Sequence, residues 1–79
     1  MVLRDLWVHF SMGPIPAKVS INDLNIRTGP GTNYNRTGQH TGIGVFTILE
    51  VQSGAGSSSG WGRLKSGAGW ISLDYCTRV

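Results

Sequence analysis

The sequence predicts an all-β protein, a small barrel of about five to seven short strands with a late one-turn 3-10 helix. Twelve glycines are spread over 79 residues, and each glycine inside a helix would be destabilising by about 1 kcal/mol relative to alanine. Apolar and polar residues alternate in several short runs, which is the period of a half-buried strand. Turn-forming residues separate these runs at short intervals, as in small β-barrels.

The size and charge of the chain indicate one small domain. Only 14% of the residues are charged, and the net charge is +3. This small positive excess indicates an acidic or polyanionic neighbour only weakly. Cys76 is the only cysteine, so no disulfide can form within the chain. The apolar run of residues 1–10 contains Arg4, Asp5 and His9, and it is too short and too polar to span a membrane.

Residues 1–16 differ from the rest and are interpreted as a linker or N-terminal extension. They end in Pro14 and Pro16, which disfavour helix and prefer extended backbone. Four apolar residues before them follow a helical period, so that a short helix or docking segment is an alternative to an appended strand or a poorly ordered tail; they are Leu3, Leu6, Trp7 and Phe10. The folded domain is expected over residues 17–79.

The first strands of this domain are predicted from alternation in residues 17–28. Leu24 and Ile26 share one face and are expected in the core. Asn25 and Arg27 then lie on the outer face. An apolar member at every second position is what a strand with one solvated face requires.

The middle of the chain is predicted as a loop, a strand and a second loop. The Gly-Pro-Gly sequence of residues 29–31 indicates a turn. Residues 28–42 are rich in Gly, Asn and Thr and are expected to form one long loop. Residues 45–52 form the most apolar strand, with apolar side chains on both faces. Residues 53–60 are mostly Gly and Ser and are expected to be a flexible loop.

The last third of the chain contains an internal repeat. A Gly-Trp-x-x-Leu sequence occurs at residues 60–64 and again at residues 69–73. The four residues between the two arms predict a β-hairpin. Its apolar residues Leu64, Ile71 and Leu73 are expected in the core.

The end of the chain is predicted as one short turn and a closing strand. Residues 73–76 are interpreted as a single helical or 3-10 turn, and residues 77–79 as the strand. Trp61 is expected to lie half exposed on one face with Arg63 and Lys65. Such a strip suits cation–π packing, and it also suits a recognition surface.

Taken in order, these motifs resemble the bacterial SH3 domain (SH3b). The stretch LNIRTGPGTNY of residues 24–34 is similar to the opening signature of that family. An apolar central strand and the two Gly-Trp sequences follow in the family's order, and the match covers about residues 18–79. The sequence HTGIG at residues 40–44 departs from the family's usual central loop. The resemblance implies a small SH3-like barrel.

The resemblance also implies a function. SH3b domains are cell-wall-binding modules of phage endolysins and bacterial autolysins. The implied role is a non-catalytic module that binds peptidoglycan, at its peptide stem or cross-bridge, and holds the catalytic domain of a cell-wall hydrolase on its substrate. The implied location is the bacterial cell wall or the extracellular space, or a phage lysin released at lysis. Tandem modules or self-association would raise the affinity by avidity.

The resemblance implies a ligand groove between the first long loop and the later loops. Its candidate ligand-binding residues in this chain are Asn25, Tyr34, Trp61 and Tyr75, followed by Trp70. From the residues alone, Tyr34 either plugs the barrel end or lines a groove, and Trp70 and Tyr75 are expected to be half buried.

Arg27 carries two interpretations. Its guanidinium group could brace the loop by donating to backbone carbonyls, or it could contact a ligand directly. Asn25 offers both a donor and an acceptor to a peptide backbone.

No catalytic, metal or cofactor site is predicted. His9 and His40 lack the spacing of metal ligands. Cys76 and His40 could pair only with an orienting third group, and Cys76 is interpreted as a buried filler. The carboxylates are scattered, so no acid–base pair is indicated; they include Asp23, Glu50 and Asp74. An independent enzyme is therefore not expected.

Two other binding functions remain as alternatives. The sequence pI of about 9.6 and the strip around Trp61 suit a nucleic-acid-binding SH3-like barrel. The cations are not dense, however, which argues against this alternative. A module for extended peptides is the other. No acidic residue lies between Asp23 and Glu50, which argues against recognition of proline-rich ligands with basic anchors. No membrane partner is expected.

Overall fold

The structure, a computed structural model, describes residues 14–79 of the chain. In this part the chain forms seven strands: β1 (Ile15–Val19), β2 (Leu24–Arg27), β3 (Arg36–Thr41), β4 (Gly44–Gly54), β5 (Ser57–Leu64), β6 (Trp70–Ser72) and β7 (Cys76–Arg78). A 3-10 turn, Leu73–Tyr75, joins β6 to β7. The helix or docking segment considered for residues 1–10 lies outside the described residues.

The strands make one antiparallel sheet in the order β3-β2-β6-β5-β4-β1-β7. Three of the six neighbouring pairs are consecutive along the chain, namely β2–β3, β4–β5 and β5–β6. The long β4 pairs with β1 on one side and with β5 on the other, and register shifts interrupt its pairing with β5. Such bulges bend a strand and let a small sheet curl around its core. The all-β barrel with a late 3-10 turn is confirmed.

Strand β1 begins at Ile15, two residues before the domain start expected at residue 17. It lies between β4 and β7, with Ala17 opposite Phe46 on one side and Arg78 on the other. Ile15, Ala17 and Val19 are buried and alternate with exposed residues. The alternation continues through Ile15 because its partner is the fully buried Ile48.

The core is built from every second residue of the strands that surround it. Leu24, Ile26, Leu64, Ile71 and Leu73 are all buried, as the sequence predicts. Their cluster includes the three buried residues of β1 and Ile48 of β4, and further side chains pack against its edge: Phe46, Val51, Ala68 and Cys76. Burying an aliphatic side chain of this size contributes about 1.5–3 kcal/mol, so this cluster is the main stabilising feature of the barrel.

The expectation of one long loop over residues 28–42 is wrong. The loop ends at residue 35, and β3 then pairs with β2, with Asn25 opposite His40. Strand β3 has no apolar alternation, since its first five side chains are exposed. The backbone of Gly38 has a φ of 89°, which glycine adopts readily. A solvated strand at the end of a sheet leaves no hydrophobic period in the sequence.

The expectation of a flexible loop over residues 53–60 is also wrong. Strand β4 runs to Gly54 and β5 starts at Ser57, so only Ala55 and Gly56 remain as a two-residue hairpin turn. Gly56 has a φ of 85°, as tight hairpin turns require. Backbone pairing orders this segment although its side chains are small and polar.

Gly54 marks a close approach between this hairpin and the loop that follows β2. A Cβ atom at Gly54 would overlap the carbonyl oxygen of Pro30 and would stand 2.9 Å from Cδ1 of Trp61. Backbone atoms cannot swing aside as a flexible side chain can, so the position has no room for any residue other than glycine.

We expect the substitution Gly54→Ala to lower the free energy of unfolding by about 1–3 kcal/mol, as overpacking does in a well-packed site. Chemical denaturation followed by tryptophan fluorescence measures this change. The matched control is Gly42→Ala, because a Cβ at Gly42 would meet no atom within 4 Å. Equal stability of the two variants would contradict the close approach.

Candidate binding groove

One open groove of about 240 Å³ lies on the surface of the barrel. The turn between β1 and β2, strand β2, the loop after it, the β4–β5 hairpin and the 3-10 turn all contribute to it. We call it the groove, and it is lined by Ile21, Asp23, Leu24, Asn25, Arg27, Thr32, Gly56, Trp61, Ser72 and Tyr75.

Four of the six candidate residues meet in the groove. Asn25 and Arg27 come from the outer face of β2, Trp61 from β5 and Tyr75 from the 3-10 turn. Up to 50 positions separate them along the chain. The order of the strands brings them together, because only the short β6 lies between β2 and β5 in the sheet.

Tyr34 does not line the groove. Its ring lies over the backbone of Gly29, where a Cβ atom would overlap the ring carbons. The side chain is 43% exposed, so it does not plug the barrel end either. Its backbone N–H donates to the carbonyl of Gly31 at 3.1 Å. Tyr34 therefore packs within its own loop. The ring fits there because Gly29 has no side chain.

Trp70 is also outside the groove. Its β6 backbone pairs with Arg27 on one side and Arg63 on the other. The side chain is 9% exposed, more buried than the sequence suggests. All three residues of β6 are buried, because β6 is the short central strand between β2 and β5 and neither of its faces is left to solvent.

Arg27 braces the loop after β2. Its Nη1 donates to the carbonyl oxygens of Thr32 at 3.2 Å and Tyr34 at 2.9 Å. One planar guanidinium group thus ties two carbonyls of an irregular loop to a strand. The interpretation of Arg27 as a brace is confirmed, and the same side chain also lines the groove.

The half-exposed position expected for Trp61 is wrong. The side chain is 3% exposed, and its Nε1 donates to the carbonyl of Ala55 at 3.0 Å. Register shifts in the β4–β5 pair lie on both sides of the segment opposite Trp61, and such bulges turn side chains away from simple alternation. Only part of the indole ring remains available at the groove wall.

The aromatic and cationic strip expected around Trp61 is therefore absent. Arg63 turns to the neighbouring strand and its Nε contacts Oε1 of Glu50 at 3.0 Å. Hydrogen bonds from Gln52 and then from Arg63 hold the pKa of Glu50 below its usual value. Since this pair is exposed, its contribution to stability is small.

The loop after β2 docks on the β4–β5 hairpin and closes one end of the groove. The N–H of Thr32 donates to the carbonyl of Ala55 at 3.0 Å, the same oxygen that accepts from Trp61. A Cβ atom at Gly56 would overlap the side chain of Thr32. One carbonyl thus holds both the loop and the indole ring in place.

A hydroxyl network supports the groove beneath Ser72. The hydroxyl of Ser72 donates to the hydroxyl of Ser57 at 2.9 Å, which donates to the carbonyl of Gly60 at 2.7 Å. Asp74 accepts from the backbone N–H groups of Ser58 and Ser59 at 3.1 and 2.8 Å. Burial by itself would raise the pKa of Asp74, but these N–H groups together with hydrogen bonds from the side chains of Ser59 and Ser57 outweigh it, and the pKa is lowered.

The other end of the groove is formed by the β1–β2 turn and the 3-10 turn. Ser20 donates to the carbonyl of Tyr75 from its backbone N–H at 3.2 Å and from its hydroxyl at 3.1 Å. In the same turn, Asp23 has a positive φ of 58°, which aspartate tolerates better than most residues. Tyr75 is 47% exposed beside this turn.

The sequence patterns did not predict six residues of the groove. Asp23 stands out only as one of the scattered carboxylates, and no pattern separates Thr32 from the rest of its polar loop. Leu24 is predicted as a core residue only. All six line the groove because of strand order and loop docking, which leave no local signal for a groove; they are Ile21, Asp23, Leu24, Thr32, Gly56 and Ser72.

No group of three or more metal-ligating side chains occurs among residues 14–79. Burial raises the pKa of Cys76 to about 11, and its Sγ lies 3.6 Å from the carbonyl oxygen of Ser72. A protonated thiol is a poor nucleophile. Over the same residues, no helix is long and apolar enough to cross a membrane.

Comparison with known proteins adds no family to this description. The chain matches no protein-family model, no curated protein and no solved structure. The function must therefore be argued from the groove.

We expect Arg27→Lys to lower the free energy of unfolding by about 1 kcal/mol, the net value of an ordinary hydrogen bond, because one ammonium group cannot reach both carbonyls in the same geometry. Faster amide hydrogen exchange at Thr32 and Tyr34 should accompany the loss. Arg36→Lys is the control, since Arg36 is exposed on β3. If exchange in the loop matched between the two variants, Arg27 would not be its brace.

We also expect Cys76 to react slowly with iodoacetamide in the folded protein. Because its pKa rises from 9.0 to about 11, the thiolate fraction at pH 8 falls about a hundredfold. Mass spectrometry of samples quenched over time, with and without denaturant, gives the ratio of rates. Alkylation at equal rates in both states would show that the thiol is not protected.

Proposed function

We propose that this protein is a non-catalytic binding module whose groove takes an extended peptide of bacterial peptidoglycan, from its stem or its cross-bridge. The observation that carries the proposal is the convergence of Asn25, Arg27, Trp61 and Tyr75 on one open groove. These side chains belong to the motifs on which the resemblance to SH3b domains rests, and the groove lies beside the loop after β2, where that resemblance predicts it.

The chemistry of the groove suits a peptide backbone. Asn25 offers a donor and an acceptor, and Thr32 offers a hydroxyl group. Trp61 and Tyr75 supply apolar wall, and aromatic residues of this kind dominate many recognition patches. Peptide groups carry a donor and an acceptor at each residue. An extended ligand could therefore form hydrogen bonds with polar groups on one wall of the groove and pack against aromatic rings on the other.

The small size of the groove predicts weak binding by a single module. At about 240 Å³ it is smaller than common small-molecule pockets, which span about 300–1,000 Å³. Attachment to the catalytic domain of a cell-wall hydrolase, or to a second module, would compensate by avidity. In this proposal the module acts at the bacterial wall and holds the hydrolase on its insoluble substrate.

The nucleic-acid alternative loses one of the two observations that favour it. The basic pI remains, but the exposed strip of Trp61, Arg63 and Lys65 does not form, because Trp61 is buried and Arg63 is paired with Glu50. Single-strand binding uses exposed rings on which bases can stack. A general module for extended peptides would use the same groove, so ligand tests must separate it from the wall-specific function.

Co-sedimentation with purified Gram-positive cell walls tests the proposal. We expect the protein to sediment with walls, and Asn25→Ala and Tyr75→Ala each to weaken binding by about five- to thirtyfold, as truncating an interface anchor does. Val45→Thr is the control, because Val45 is 60% exposed and lies outside the groove.

Thermal unfolding of each variant shows whether the fold is retained, and only folded variants are compared. Absence of sedimentation with any wall preparation would overturn the proposed function. Binding that survives both groove substitutions would move the site elsewhere on the barrel. Retention on single-stranded DNA at low salt, lost as salt rises, would favour the nucleic-acid alternative.

A further inference from the structure

One acidic side chain of the groove, that of Asp23, has no partner among residues 14–79. Among the acidic side chains of residues 14–79, Glu50 pairs with Arg63 and Asp74 accepts from two backbone N–H groups. Asp23 makes no hydrogen bond or ion pair within the described part of the chain. Its carboxylate lines the groove and is engaged by no side chain or backbone group of residues 14–79.

Asp23 lines the groove together with the exposed Tyr75. Both hydrogen bonds from Ser20 end on the carbonyl of Tyr75, and Ser20 is three positions before Asp23 in the same turn. The 3-10 turn is thereby fastened to the turn that carries the carboxylate. Since Tyr75 is 47% exposed and lines the same groove, one end of the groove combines an anion with a ring.

The positively charged side chain of the groove, Arg27, already has hydrogen-bond partners within the chain. Nη1 of Arg27 donates to two backbone carbonyls of the loop after β2. No ion pair joins Arg27 to Asp23 in residues 14–79. The carboxylate of Asp23 is therefore not neutralised by that guanidinium group, and its charge can meet a ligand.

We propose that the end of the groove formed by Asp23 and Tyr75 binds a primary ammonium group of the wall peptide, either a free N-terminus or a free side-chain amine. This inference rests on the proposed function. A carboxylate takes an ammonium group through charge-assisted hydrogen bonds, which are stronger than neutral ones. The face of an aromatic ring attracts the same cation.

In this proposal the module distinguishes wall peptides with a free amine from cross-linked ones. Joining two wall peptides converts an amine into a neutral amide, which has no positive charge and a single N–H. The groove would then prefer wall peptides whose amine is still free. A bound hydrolase would be held where the wall is less cross-linked.

Acetylation of the wall amines tests this preference. Purified Gram-positive walls are treated with acetic anhydride, and co-sedimentation is measured on treated and untreated walls. Two variants are compared with the unchanged protein. Asp23→Asn removes the charge and keeps a residue that tolerates a positive φ. Glu50→Gln removes the same charge outside the groove.

We expect acetylation to weaken binding of the unchanged protein about two- to fivefold, the value of one partly solvated ion pair. Asp23→Asn should bind untreated walls about as weakly as the unchanged protein binds treated ones, and acetylation should not weaken it further. Glu50→Gln should respond to acetylation as the unchanged protein does. Acetylation also changes the overall charge of the wall. This change affects all three proteins, so it does not alter the difference between them.

The outcomes separate the two proposals. If the unchanged protein sediments with walls and acetylation leaves its binding the same, or weakens all three proteins equally, the ammonium site is overturned and wall binding stands. If it fails to sediment with untreated walls, the proposed function itself is overturned.

Discussion

The docking of the loop after β2 on the β4–β5 hairpin is the constraint on which the groove depends. A single carbonyl, that of Ala55, accepts from both Thr32 and the indole of Trp61. The approach is close enough that Gly54 and Gly56 leave no room for a Cβ atom. Arg27 holds the same loop from the strand side. A loop held at both ends keeps its shape without a ligand, which reduces the ordering that binding requires.

The charged residues of the barrel fall into two groups with different consequences. Outside the groove, Glu50 and Arg63 neutralise each other at the surface, and Asp74 is used to hold backbone N–H groups. Inside it, Arg27 donates to two carbonyls of the loop, and Asp23 has no ion pair within residues 14–79. Surface pairs of the first kind change stability little. An unpaired charge in a concave site is where electrostatics decides which ligand is bound.

The groove also explains how a barrel this small can present a site at all. The core of the barrel is filled by the buried aliphatic residues of the strands, which pack in one cluster. Binding is left to the surface between two turns and a docked loop, where polar groups and rings come from five separate segments. Such a site is shallow, and it suits a module that works through attachment to a larger enzyme or to its copies.

The sequence by itself determined the β class, the core residues of β2 and of the last hairpin, and the late 3-10 turn. Each of these leaves a local signal, either a period of two or a turn residue, which needs no knowledge of distant partners. Tertiary structure alone decided that residues 36–41 form a strand, that Trp61 is buried, and that Asp23 joins Tyr75 in one groove. Pairing at the end of a sheet, bulges between strands and the docking of loops are contacts between residues far apart in the chain. No short stretch of sequence encodes them, because each partner looks like an ordinary polar or turn residue until the other is in place.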